Sequence, residues 1–368
     1  MKIIFRLVIL LHVFSASAQS SYLLIGTYTK GKSEGIYVYD FNSITGTAVY
    51  KSKIKASNPS FLAVSPGQQY VYAAFEDGDG SIGAYSFSKK TGELTFINQQ
   101  SSGGSSPCFV TTDKTGKWVA AANYGGGSLC LLPVQKGGGL DAATQVLQDT
   151  GNSLNKERQE KPHVHSTFFS GDNKFLFAPD LGTDKLMIWS FDDIKGKLTA
   201  ARQPFAKSPD NGGPRHIVFS VNNQYVYLME ELTGTVVAYQ YNHGRLTQIQ
   251  SISAAAPAFK GFMGSADIHV SSDGKFLYCS NRGDANTITI FTINPANGKL
   301  SVVGYQSTMG QAPRNFSLDP SGNFLLVANQ NSDNIIIFKR NKTTGLLTDT
   351  GKMIEVGSPV CLKWISVK

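Results

Sequence analysis

Residues Ser271–Ile293 read SSDGKFLYCSNRGDANTITIFTI. A polar turn leads into an apolar run opened by Phe276. A second polar turn, Asn281–Asn286, leads into another apolar run. Both runs are too short for a helix, rich in β-branched and aromatic residues, and bounded by Gly, Asn and Asp, so they predict two strands of one hairpin. The same pattern stands at Ser65 (SPGQQYVYAAFEDGDGSIGAYSF), Asp113 (DKTGKWVAAANYGGGSLCLLPV), Ser170, Ser220, Asp319 and, truncated, Ser21. The aromatic that opens each unit is Tyr22, Tyr70, Trp118, Phe175, Tyr225, Phe276 or Phe324, at intervals of 48, 48, 57, 50, 51 and 48.

Each full unit predicts four strands. A short apolar strand A precedes the polar turn (FLAVS from Phe61, IVFS from Ile217, IHVS from Ile268). The aromatic-led run is strand B and the next is C. Strand D follows a turn such as TGEL, KGKL, HGRL or NGKL. Four antiparallel strands repeating at this period define a propeller blade. The first unit lacks strand A, and the C-terminal stretch from Pro359 to Val367 is an A-like strand without a partner. Joining them closes a ring and removes exposed edges. The expectation is all-β: one seven-bladed β-propeller over residues 19–368, ring-closed by the C-terminal strand.

Residues 1–18 read differently. Lys2 and Arg6 precede an apolar run, Leu7–Phe14, and Ser15–Ala18 ends it with small residues. This is the pattern of a cleaved secretory signal peptide, and its apolar core is too short to span a bilayer. A periplasmic or extracellular protein is expected, with no membrane span. The net charge of +8 falls to +6 without Lys2 and Arg6, and the remaining lysines are scattered, so no nucleic-acid partner is expected. Cys108, Cys130, Cys279 and Cys361 show no metal-ligand spacing and lie in apolar strands, which predicts buried thiols. No metal or cofactor is implied, and a monomer is expected.

In a propeller blade, strand A lines the channel and B runs antiparallel to it. The start of A and the end of B therefore share one mouth. Ten residues before each leading aromatic stand Ser60, Cys108, His165, Arg215, Ala266 and Arg314; the next column holds Phe61, Phe109, Ser166, His216, Asp267 and Asn315. Six residues after the aromatic stand Tyr28, Glu76, Tyr124, Leu181, Glu231, Arg282 and Gln330, with Asn123, Asp180, Glu230, Asn281 and Asn329 one place earlier. One mouth is thus expected to collect His163, His165, Arg215, His216, Glu231, Arg282 and Arg314. Paired titratable groups in a cleft mark a candidate site. Asn123, Asp180, Asn281 and Glu231 are also oxygen donors of the calcium-binding kind, but three arginines at the same mouth argue against a cation. The widest interval contains Gly151–Lys161, with Arg158, a loop leading into that mouth.

Taken together, RQEKPHVHS (Arg158–Ser166), GPRHIVFS (Gly213–Ser220), EELTGTV (Glu230–Val236), IHVSSDGKFLYCSNRG (Ile268–Gly283) and APRNFSLDPSGNFLLVANQNSD (Ala312–Asp333) resemble the seven-bladed propeller lactonases of the 6-phosphogluconolactonase type, relatives of the carboxymuconate lactonizing enzymes. The resemblance covers nearly all of the chain after the leader. It implies a sugar lactone as substrate and His165, Arg215, Glu231 and Arg282 as catalytic residues. His165 or Glu231 would activate water, and the arginines would stabilise the oxyanion. His163, His216, Arg314, Asn281 and Arg158 are the expected substrate contacts. A non-catalytic propeller that binds a glycan or protein, and a muconate-type lactonizing enzyme, remain the alternatives.

Overall fold

The computed structural model describes residues 20–367; the leader-like segment lies outside them. The described residues form seven four-stranded antiparallel sheets, each in A-B-C-D order. The blade around Ser271–Ile293 shows why. Its strands Ser265–Val270, Phe276–Asn281, Thr287–Ile293 and Leu300–Ser307 pair in sequence order. Strands B and C are largely buried, whereas D is half-buried to exposed after Leu300, as an outer edge should be. The C-terminal strand Pro359–Ser366 pairs antiparallel with Ser20–Thr27, which completes the first blade and closes the ring. No helix among the described residues is long and apolar enough to cross a membrane. All four cysteines are buried free thiols.

The leading aromatics do more than start strand B. Phe324 packs against Gly46, Tyr22 against Gly92, and Tyr70 against Gly138. Trp118 packs against Gly196, Phe175 against Gly244, Tyr225 against Gly298, and Phe276 against Gly345. Each pair joins one blade to the C–D turn of the next, and the seven pairs run round the ring. These turn glycines all have positive φ, 61° at Gly196 for example. At Gly196 a methyl group would overlap the Trp118 ring. The turn needs a residue that tolerates left-handed backbone, and the neighbouring ring needs one without a side chain.

Strand A carries a second regularity. Its pairing with B skips a residue between Pro59 and Phe61, Pro107 and Phe109, Pro214 and His216, and Pro313 and Asn315. The skipped residues are Ser60, Cys108, Arg215 and Arg314. A bulge releases a residue from the ladder and re-aims its side chain. The fourth blade goes further. Its inner ladder is only Phe168–Phe169, with one isolated bridge from Val164 to Asp180. The expected start of strand A at His165 is not found: His165 sits in irregular backbone held by a hydrogen bond from its N–H to Pro179 O at 2.9 Å.

Candidate active site

At the mouth where A begins and B ends lies a cavity of about 190 Å³, lined by Glu76, Cys108, Tyr124, Arg158, His165, Glu231, Arg282 and Arg314. It is continuous with a wider opening of about 400 Å³ that shares Arg158, Glu231, Arg282 and Arg314 and adds Tyr28, Phe262, Gln330 and Asn331. Glu231 is the hub. Its Oε1 accepts from Arg158 Nη2 at 2.7 Å, and its Oε2 accepts from Arg215 Nε at 3.0 Å. Arg282 Nη2 also lies 3.0 Å from Oε2. His165 Nε2 is 3.9 Å from the same oxygen.

These contacts set the charge states. Burial alone would raise the Glu231 carboxyl, but Arg282, Arg215 and Arg158 outweigh it and hold the group at about 2. Burial, then repulsion from Arg215, His216, Arg314 and Arg282, pushes His165 well below the usual imidazole range, so the ring is neutral at neutral pH. Burial and the neighbouring Arg282 and Arg314 push Arg215 down to about 9, which still leaves it charged. Arg314 stands 3.7 Å from Glu76 Oε2 and 5.3 Å from the centre of the Tyr28 ring, and Tyr28 donates to Glu76 at 2.7 Å. Four guanidinium groups face two carboxylates here. The site keeps an excess of positive charge.

The expected residues divide into two groups. His165, Glu231, Arg282, Arg314 and Arg158 come together on the cavity wall. Arg158 reaches it from the Gly151–Lys161 loop, bonding Tyr124 Oη at 3.1 Å as well as Glu231. Arg215 is buried behind Glu231 and lines neither space; its Nη1 meets Ala266 O at 2.5 Å and His216 Nε2 at 3.4 Å.

Three expected substrate contacts also lie off the wall. His163 stacks on the Tyr124 ring at 4.5 Å, with Nδ1 bonded to Tyr124 O at 3.0 Å. His216 points along the channel, with edge contacts to Phe61, Phe109 and Phe168, and its Nδ1 meets Asp267 at 2.8 Å. Asn281 is consumed inside its blade by Ser265, Thr287 and Thr289. Asn123 and Asp180 are also buried apart from Glu231, Asn123 bonding Ser102 O of the preceding blade and Ser128 of its own, and Asp180 bonding His163 N–H.

Cys108, Tyr124, Glu76 and Tyr28 line the site without having been singled out. They stood in the same columns as His165 and Glu231, so the signal was the column itself. Cys108 Sγ donates to His165 O at 3.2 Å and lies 3.7 Å from His165 Nδ1.

The family model described as lactonase, 7-bladed beta-propeller, matches residues 22–364. A 6-phosphogluconolactonase of Formosa agariphila is 39% identical over 332 residues, 88% of this chain and 94% of that protein. One of Bacillus subtilis is 38% identical over 347 residues, 93% of this chain and 97% of its own. The solved structure of a Pseudomonas aeruginosa periplasmic gluconolactonase superposes with a TM-score of 0.90 at 36% identity, covering 95% of this chain and 100% of that one.

Proposed function

The chain belongs to the seven-bladed β-propeller lactonase family, and we propose that it opens a sugar δ-lactone with His165 as general base. The observation that carries this reading is a neutral imidazole facing an arginine-lined cavity beside a carboxylate that is already fully engaged. A carboxylate held at about 2 by three guanidinium groups is a poor base. Burial and the neighbouring arginines lower His165 as well, but they leave its ring uncharged on the cavity wall, with a lone pair to take the proton. The S–H of Cys108 is spent on His165 O, so the sulfur is left to accept from Nδ1–H, and Nε2 keeps a lone pair toward the cavity.

In this reading Nε2 takes a proton as water oxygen bonds to the lactone carbonyl carbon. Arg282 and Arg158, on the cavity wall, balance the oxyanion. The intermediate collapses by breaking the bond to the ring oxygen, which receives the proton back from His165. The product is an open hydroxy acid, and its carboxylate suits the same arginines. Arg314 remains for a second polar group, and Phe262 offers the wider opening an apolar face. Arg215 and the carboxylate of Glu231 act as the frame on which Arg282 and Arg158 are held.

We place the mature protein outside the cytoplasm as a monomer. The leader-type reading of residues 1–18 supports this, as does likeness to a relative described as periplasmic. That setting favours a lactone of the free sugar over its phosphate ester. The test is acid release from δ-gluconolactone and from its 6-phosphate by the purified mature chain, with spontaneous hydrolysis subtracted. Turnover of the first above the second is expected; no turnover of either overturns the reading.

A further inference from the structure

Behind Glu231 a chain of buried polar groups runs away from the cavity and into the channel. Arg215 connects to His216 at 3.4 Å, and His216 Nδ1 to Asp267 Oδ1 at 2.8 Å. Asp267 also accepts from His269 Nε2 at 2.9 Å, from its neighbour's amide, Ile268 N–H, at 3.0 Å, and from Asn315 Nδ2. His216 and Asp267 are each only 3% exposed, and neither lines the cavity. Resting on the lactonase reading of the same site, we propose that His216 and Asp267 are positioning residues that hold Arg215, and through it Glu231, in the working geometry.

Asp267 takes two amide donors, Ile268 N–H and Asn315 Nδ2, and the two histidines beside it favour its ionised form, which can only accept. Nδ1 of His216 must therefore carry its proton, which leaves Nε2 as a lone pair aimed at Arg215. Arg215 is planar and is gripped at two places: Nε by Glu231, and Nη1 by Ala266 O and His216. The His216 ring is buried against the rings of Phe61, Phe109, Phe168 and His165. Charge then alternates along the chain, with Asp267 negative, His216 neutral, Arg215 positive and Glu231 negative. A protonated His216 would repel Arg215; burial, then Arg215 itself, pushes the ring down to about 3.

Stability alone is a weak reason for this chain. Buried ionic arrays are often no better than apolar side chains of the same size. Phe61, Phe109 and Phe168 already make the surroundings apolar, so a phenyl ring at position 216 would pack. A glutamate whose carboxylate organises the arginines of the wall does gain from a fixed anchor, since small misplacements at a reacting centre are costly in rate.

The test uses the full mature chain and three variants. The kcat of His216→Phe is expected to fall about 100-fold, with KM within about 2-fold of the wild-type value. His216→Gln, whose amide oxygen can accept from Arg215, is expected to recover part of that loss. Asp267→Asn is expected to behave like His216→Phe. In parallel, 15N spectra of histidine-labelled wild-type protein are expected to show His216 as the neutral Nδ1–H tautomer across neutral pH. Its Nε2 resonance should move in Arg215→Met. Wild-type kcat in His216→Phe, equal losses in the Phe and Gln variants, or an Nε2–H tautomer would overturn the proposal. The spectra need no turnover. A wild type that opens no lactone therefore removes the functional reading while this inference is still decided by the tautomer.

Discussion

His165 Nε2 lies 3.9 Å from Glu231 Oε2, outside hydrogen-bond reach, while three arginines occupy that carboxylate. The two residues are neighbours without being partners, and their variants should fail differently. His165→Ala is expected to lower kcat by about 10²–10⁴-fold, the usual worth of a general base, with little change in melting temperature. Steady-state kinetics with a melting curve on the same sample checks both halves.

Glu231→Gln should lose activity and stability together. It removes the negative charge that pairs Arg158, Arg215 and Arg282. Breaking a buried pair by deleting one partner costs about 3–5 kcal/mol. Urea unfolding would detect a loss of that size. An unchanged midpoint would mean the arginines find other partners.

The pH profile follows from His165. Its pKa is lowered by burial first and by Arg215 next, and the neutral ring is the active form. Activity should hold through neutral pH and fall on the acid side, with a midpoint below the ordinary 6.5. An acid limb centred at or above 6.5 in kcat/KM would assign the base elsewhere.

Glu230 offers a separate pH test, on stability. It is fully buried, and burial raises its carboxyl to about 8. Asn123, Asn281 and Asn329 hold the same column in other blades, where their amides donate to nearby oxygens. A group with a raised folded pKa gives stability that is complete below its unfolded value, near 4.5, and lost as pH rises through about 8. Glu230→Gln removes that slope. Its melting temperature relative to wild type should therefore climb between weakly acidic and alkaline buffer. A constant difference across that range would show that Glu230 does not carry the slope.

Ring closure can be probed at the turn glycines. Gly196→Ala places a methyl in left-handed backbone and into the Trp118 ring, a combined cost of roughly 2–5 kcal/mol. Trp118→Ala in the same chain should relieve the steric part and leave the backbone part, as a double-mutant cycle would show.

The ring was legible because it is periodic. Seven aromatics at near-constant spacing mark seven blades, and the glycine-containing C–D turns that follow are their packing partners. The unpaired Pro359–Val367 stretch announced the closure that Pro359–Ser366 makes. The site was legible by column only. A column says which mouth a residue reaches, not which way its side chain turns. The bulge after the strand-A prolines frees both Arg215 and Arg314 from the ladder, and their neighbours then separate them. Arg215 is taken by Glu231, Ala266 O and His216 behind the site, whereas Arg314 reaches Glu76 and the Tyr28 ring on the wall. His216 was legible as polar and mouth-proximal, but its direction is set by Asp267 on the next blade's inner strand. Cys108 and Tyr124 were passed over because a thiol and a phenol in a strand read first as core.

If His165 opens a sugar lactone in this cavity, removing its ring should stop the reaction. The direct measurement is acid release from δ-gluconolactone by wild type and His165→Ala at matched folding, with the spontaneous rate subtracted. Saturable wild-type turnover that drops by at least about 100-fold in the variant is expected. Equal turnover by the two proteins would contradict it.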